Sequence, residues 1–290
     1  GDDGFHLWST LENIEDGTTI FTTKIISPLE QTPQIVGHLA NNIITSLGVS
    51  TKQDMMKAPT SNTEAYEYYL RAKYIYEKRE NLKDTEIARG LLKKSIELDK
   101  SLLFAKRLLG NTYHEVGDYD RALGIYSDVL KQAEEIGDKS VKSNILLNMG
   151  SIYHQKGNLT KAFDFYNRSL AIAEKIGDKS IMSSVFNGMG GLFMDKDDPD
   201  MALGYFIRSL EISEEIDEYS TSTPLKNIGH MYWWYKVDYE QALNYHMRSL
   251  KIDEKLGDKF GIGYSLRNIG IVNYHKGDLD AALDYITRSF

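Results

Sequence analysis

The chain has 290 residues, 41% hydrophobic and 26% charged, with a formal net charge of -8. This is the balance of an ordinary globular protein, and its interspersed acids and bases offer no positive face to nucleic acid or an anionic membrane. Cysteine is absent, which excludes disulfides and thiolate metal sites. No apolar run is long enough to span a bilayer and no signal peptide stands out, so a cytoplasmic protein is expected.

The chain opens at "GDDGFHLW" without a methionine and closes inside a helical pattern at "DYITRSF". The expectation is a piece of something longer. Residues 1–58 form a small mixed α/β segment with its linker. "FHLWSTL" and "TTIFTTKIIS" are β-rich, and "PQIVGHLANNIITSLGV" places Ile35, Leu39, Ile43 and Leu47 on one helical face. "KAPTSNT", with Pro59, reads as a linker into a first helix at Glu64.

Residues 59–290 repeat. Arg-Ser-Leu begins at Arg168, Arg208 and Arg248, and Arg288-Ser289-Phe290 continues the series at steps of 40 residues. Gly110, Gly150, Gly190, Gly229 and Gly270 form a second column, and Ala122, Ala162, Ala202, Ala242 and Ala282 a third. Glycine within a helix costs about 1 kcal/mol relative to alanine. Its recurrence therefore predicts a close helix crossing, with the alanine on the facing helix. A large side chain follows each glycine by three residues at Tyr113, Tyr153, Phe193 and Tyr232, and Asn273 breaks that column.

The turns repeat as well. Asp118, Asn158, Asp198, Asp238 and Asp278 are placed to cap second helices. Gly117, Gly157 and Gly277 are placed to end first helices in the left-handed conformation. "IGDKS" at Gly137 and Gly177 is the other corner: Gly137, Gly177 and Gly257 end second helices, and Asp138, Asp178 and Asp258 cap the next first helices. It is no phosphate loop, because Asp138 separates Gly137 from Lys139. In "HMYWWYK" the helix is expected to start late, at Pro224, with Thr223 as its cap.

Cores such as "NMGSIYHQKGNLTKAFDFY" and "NIGHMYWWYKVDYEQALNY" resemble the tetratricopeptide repeat, from about residue 62 to residue 290. The family's leading tryptophan is absent, and the 40-residue period exceeds the usual ~34, like the longer-helix branch of kinesin light chains and bacterial peptide-sensing regulators. The resemblance implies an all-α, right-handed superhelical solenoid of antiparallel helix pairs, about six of them with the last truncated. The truncated end is expected to leave Tyr285, Ile286 and Phe290 uncovered. The order "DDGFHLWS", "SLGV", "EAYEYYL" is similar to a bacterial arrangement in which a TolB-like segment joins an output domain to a tetratricopeptide array. That domain is often a class III adenylate/guanylate cyclase, sometimes a winged-helix domain.

The resemblance implies that first helices line a groove for an extended peptide or protein segment. Asn148, Asn227 and Asn268, with Asn187 displaced by one, stand where related families bind a peptide backbone. A carboxamide both donates and accepts; these side chains could equally bond neighbouring helices. Arg107, Lys226 and Arg267 form a basic column that could meet acidic ligand groups or simply be solvated. His114 and His154 share a phase, but successive repeats separate them by roughly 10 Å per intervening helix, too far for one metal ion. Trp233 and Trp234 are groove anchors or packing. "DKDDPD" at Asp195 fails as a calcium loop because Pro199 and Asp200 occupy its turn positions. His6 and His38 lack partners for catalysis. No cofactor, metal or enzymatic role is expected of these residues. The alternatives to peptide binding are a structural spacer or a homo-oligomerisation device.

Overall fold

In the computed structural model, which describes residues 4–12, 19–28, 60, 62–79 and 81–289, the two β-rich segments form an antiparallel hairpin. Strand β1 (Gly4–Glu12) pairs with β2 (Thr19–Pro28), Phe5 opposite Ser27 and Leu11 opposite Phe21. The segment bearing Ile35, Leu39, Ile43 and Leu47, Pro59 of the linker, His38 and Phe290 lie outside the described residues.

From Thr63 onward the described residues form twelve α-helices joined by short turns. The chain divides into two compact units, residues 1–125 and 126–290. The first holds the hairpin, α1 (Thr63–Glu77), α2 (Leu82–Leu98), α3 (Leu103–Glu115) and the start of α4 (Tyr119–Ile136). The second continues with α5 (Lys139–Gln155), α6 (Leu159–Ile176), α7 (Lys179–Asp195) and α8 (Pro199–Glu214). A 3-10 turn at Tyr219–Thr221 leads to α9 (Ser222–Trp234), α10 (Tyr239–Leu256), α11 (Lys259–Lys276) and α12 (Leu279–Arg288). Within this second unit each helix from α5 on packs against the next, and α5 touches α7 as α9 touches α11.

Capping sets the boundaries. Asn158, Asp198, Asp238 and Asp278 accept hydrogen bonds from the amides three residues on, at 3.0–3.1 Å. Asp138, Asp178 and Asp258 do the same for α5, α7 and α11 at 2.9–3.0 Å. Each bond satisfies an amide that the first helical turn leaves without a partner. Helix α9 departs from expectation. It starts at Ser222, with Thr221 at the cap position making no side-chain cap bond. Thr223 is therefore inside the helix rather than its cap. The preceding 3-10 turn already directs the chain into helical geometry, and Pro224 fits the first turn because an amide there needs no intrahelical acceptor.

The column that ends first helices takes positive φ throughout: Gly117, Gly157 and Gly277 at 79°, 73° and 90°, but also Asp197 at 59° and Val237 at 53°. Left-handed geometry costs an L-residue roughly 1–2 kcal/mol, and a β-branched residue is the least suited to it. Replacing Val237 by glycine is expected to raise stability by about 1 kcal/mol, read as a higher urea midpoint at unchanged slope.

The interior is built from recurring contacts, and the glycine column shows the clearest. A Cβ on Gly150 would lie 2.7 Å from the Tyr166 ring, and one on Gly270 would lie 2.6 Å from Ile286. Phe206 covers Gly190 and His246 covers Gly229 in the same way. The expectation paired each glycine with the repeat alanine. The alanines are buried as required, but the group seated on Gly150, Gly190, Gly229 and Gly270 is the large side chain one turn later.

Arg-Ser-Leu serves the same interior. Ser143 and Ser169 each donate to the other's carbonyl at 2.8 Å, and Ser183 and Ser209 repeat the exchange at 3.1 and 2.9 Å. These clasps tie first helix to second helix with every buried hydroxyl satisfied. The arginine covers a ring stack: Tyr153 on Phe165, Phe193 on Tyr205, and Tyr232 on Tyr245, with centroids 5.2–5.5 Å apart. Arg168, Arg208 and Arg248 lie 5.1–5.8 Å from the outer rings. Asn273 replaces the inner ring in the last pair and turns its amide onto the Ile269 carbonyl at 2.9 Å. On α12, Ile286 is seated on Gly270 and Tyr285 is half-buried, so neither stands uncovered as expected. The exposed apolar residues there are Leu279 and Leu283.

Candidate functional site

Helices α5, α7, α9 and α11 are the first helices of four consecutive pairs, and their asparagines take different roles. Asn227 donates from Nδ2 to Oδ1 of Asn187 at 2.7 Å, bridging α9 to α7. The one-residue displacement of Asn187 thus places it beside Asn227 rather than out of reach. Asn148 is half-buried and its amide lies 3.5 Å from Asn144 Oδ1. Asn268 is buried, and its Nδ2 has no hydrogen-bond partner.

The basic column separates. Lys226 is spent internally: its Nζ lies 3.0 Å from Oδ2 of Asp253, whose side chain is 1% exposed. Neither solvation nor a ligand contact describes it. Arg267 is exposed above the Tyr264 ring at 5.2 Å. In the first unit Arg107 is half-buried, its guanidinium 5.9 Å from the Phe104 ring and its Nε without a partner.

Asp253 organises a polar hub that the sequence reading missed. It accepts from the hydroxyls of Ser222 at 2.6 Å and Ser265 at 3.1 Å as well as from Lys226. Its column is otherwise Ala133, Ala173 and Ser213. Gly261 makes the room, since a Cβ there would lie 2.7 Å from the Asp253 carboxyl carbon. An aspartate in an otherwise small-residue column, followed by a new glycine, was the available signal.

The histidines also divide. His154 Nε2 lies 2.8 Å from Asp195 Oδ2, and His114 meets Tyr119 edge-on. The other carboxylates of "DKDDPD" have structural work: Asp198 caps α8, Asp200 pairs with Lys236 at 2.7 Å, and Asp197 makes the turn. His246, unremarked in the sequence, is 1% exposed with neither ring nitrogen partnered. Burial, with lesser repulsion from His230 and Lys226, lowers its pKa to about 4. Burial lowers that of His230 as well.

Trp233 is half-buried between His230, Trp234 and His275, at centroid distances of 5.3–5.6 Å. Trp234 is 59% exposed. Trp233 packs among these rings, and Trp234 presents the larger free surface. Among the described residues, no group of three histidines and carboxylates converges on a possible metal position.

Paired helices with glycine-seated rings and serine clasps define a helical repeat protein. The sequence profile of the tetratricopeptide repeat matches residues 101–175 and 181–255, and the chain belongs to that family. No curated protein sequence matches it. Among solved structures it resembles BtubC (BKLC) from P. vanneervenii, with 22% identity, 72% of this chain and 87% of that one covered, and a TM-score of 0.57. The Rap conjugation gene regulator of plasmid pLS20, solved with the Phr* peptide, gives 13% identity, coverages of 79% and 73%, and 0.63. The STAND protein PH0952 from Pyrococcus horikoshii, with its tetratricopeptide repeat sensor, gives 19% identity and 0.58. There 81% of this chain aligns but spans only 41% of the other. At these identities the likeness concerns the fold.

Proposed function

We propose that this chain is a binding scaffold whose first helices hold an extended peptide or protein segment. The observation that carries the reading is the Asn187–Asn227 bridge. The bond uses one donor and one acceptor, which leaves a donor on Asn187 and an acceptor on Asn227, the complement of a peptide unit. The solved complex of the Rap regulator with its peptide supports the same use of the fold. Chemistry is delegated elsewhere, and the chain acts as the sensory or regulatory part of a bacterial signalling protein in the cytoplasm. A cyclase is the preferred output domain and a winged-helix regulator the alternative; the tetratricopeptide sensor of the STAND protein is a parallel for such a part. The coding frame upstream of Gly1 decides between the two.

The test is calorimetric titration with a peptide selected on the intact chain from a random display library. Asn187→Ala and Asn227→Ala are each expected to weaken binding about tenfold, and Asn148→Ala to weaken it less. Unchanged affinity in all three removes the groove.

A second reading, self-association through α12, is favoured by the exposure of Leu279 and Leu283 at 63% and 69%. Sedimentation of the Leu279→Lys/Leu283→Lys variant against the parent separates it from a monomer.

A further inference from the structure

Between α7, α8 and the start of α9 lies a cavity of about 250 Å³ lined mainly by serine and threonine. Its floor is a triangle of buried serines: Ser183 lies 3.0 Å from Ser209 Oγ and 2.7 Å from Ser213 Oγ. Ser180, Ser184, Ser220 and Thr223 form the rim, with Asn187 of the asparagine bridge beside them. Ile216 and Pro224 complete the lining, and no charged side chain belongs to it. Ser184 donates to the Ser180 carbonyl at 2.9 Å. The side-chain hydroxyls of Ser180, Ser220 and Thr223 keep their hydrogen-bonding capacity for something else.

The next pair shows what this position can hold. Ser222, Ser249 and Asp253 are the counterparts, one repeat on, of Ser183, Ser209 and Ser213. The 2.6 Å bond from Ser222 to Asp253 matches the 2.7 Å contact of Ser183 with Ser213. There the longer carboxylate reaches inward, and the Lys226 ammonium settles on it. In the earlier pair, Ser213 stops short, Asn187 replaces the lysine in phase, and the space stays open.

We propose that this cavity is a pocket for one uncharged hydrogen-bonding side chain, carboxamide or hydroxyl, of the bound peptide. The proposal rests on the peptide-binding reading and adds specificity to it. Hydroxyls donate and accept, so they suit a group that does both. A charged group would be set against the buried serine floor without a counter-ion, and an aliphatic one would gain no hydrogen bond from the rim hydroxyls. The volume accommodates one side chain, at ~30 Å³ for each water displaced.

The test uses the intact chain and the N-acetyl, N-methylamide derivatives of glutamine, serine, aspartate, lysine and leucine, followed by amide NMR shifts. Glutamine and serine probes are expected to shift Ser183, Asn187 and Ser213, and the other three to leave them in place. Ser213→Leu, which fills the cavity, should abolish the shifts. Ser180→Ala/Thr223→Val, confined to exposed rim positions, should weaken the glutamine probe about tenfold without touching the fold. Pocket shifts absent with every probe, equal response to charged probes, or an unaffected rim variant each overturn the proposal. A library peptide whose affinity ignores Ser213→Leu retires the pocket and leaves the scaffold standing. Failure of any library peptide to bind retires the scaffold, while the glutamine probe still decides the pocket.

Discussion

Replacing Asp253 by alanine is expected to destabilise the protein by about 3 kcal/mol, near the lower end for breaking a buried ion pair. The carboxylate is 1% exposed and Lys226 15%, so the orphaned ammonium keeps little water. Ser222 and Ser265 lose their acceptor in the same step. The loss reflects what remains behind more than the worth of the pair, so removing both charges tells the two apart. Asp253→Ala/Lys226→Met is expected to recover most of the stability, since the column tolerates Ala133 and Ala173 elsewhere. Urea unfolding of the two singles and the double decides it. A double variant as unstable as Asp253→Ala means that the hub stabilises by something other than charge compensation.

The second large effect depends on pH. His246 is neutral in the folded protein down to about pH 4, whereas an unfolded histidine takes up its proton near pH 6.5. Above that value both states are neutral and the group contributes no pH dependence. Between about 6.5 and 4 the unfolded chain binds more protons, so stability falls as the solution is acidified. The full loss is about 3 kcal/mol. His230, half-buried, is lowered too by burial and works in the same direction. His246→Phe restores the kind of ring that Phe206 places on Gly190. It removes two unpartnered nitrogens, so it is expected to be more stable than the parent at pH 7 and further ahead at pH 5. Parallel pH profiles for parent and variant would falsify this account.

The fold was legible because its determinants are local and recur. A glycine about every 40 residues, an aspartate or asparagine before most helices and an alanine in phase are visible without coordinates, since each answers to one turn or one crossing. The partner of each glycine was less legible: Tyr166, Phe206, His246 and Ile286 share a position but not a chemistry. Arg-Ser-Leu was seen as a marker without a job, because a serine clasp depends on the distance between two helices. The candidate site was less legible still. Lys226 looked like a free surface cation until Asp253, 27 residues away, proved to hold it. Asn187 stood one position off its column until its side-chain oxygen proved to accept from Asn227. Trp233 and Trp234 are adjacent in sequence yet divide between interior and surface, a difference of rotation that a periodic pattern blurs.

The serine clasps have a further consequence. Each fastens two helices of the same pair through main-chain oxygens, and none needs a particular residue from the pair before or after. Whole hairpins could therefore be added or deleted during evolution without rewriting those that remain. The length of such an array becomes an adjustable trait, while the features that set one pair apart, such as a hydroxyl cavity or a carboxylate hub, are local edits on a shared template.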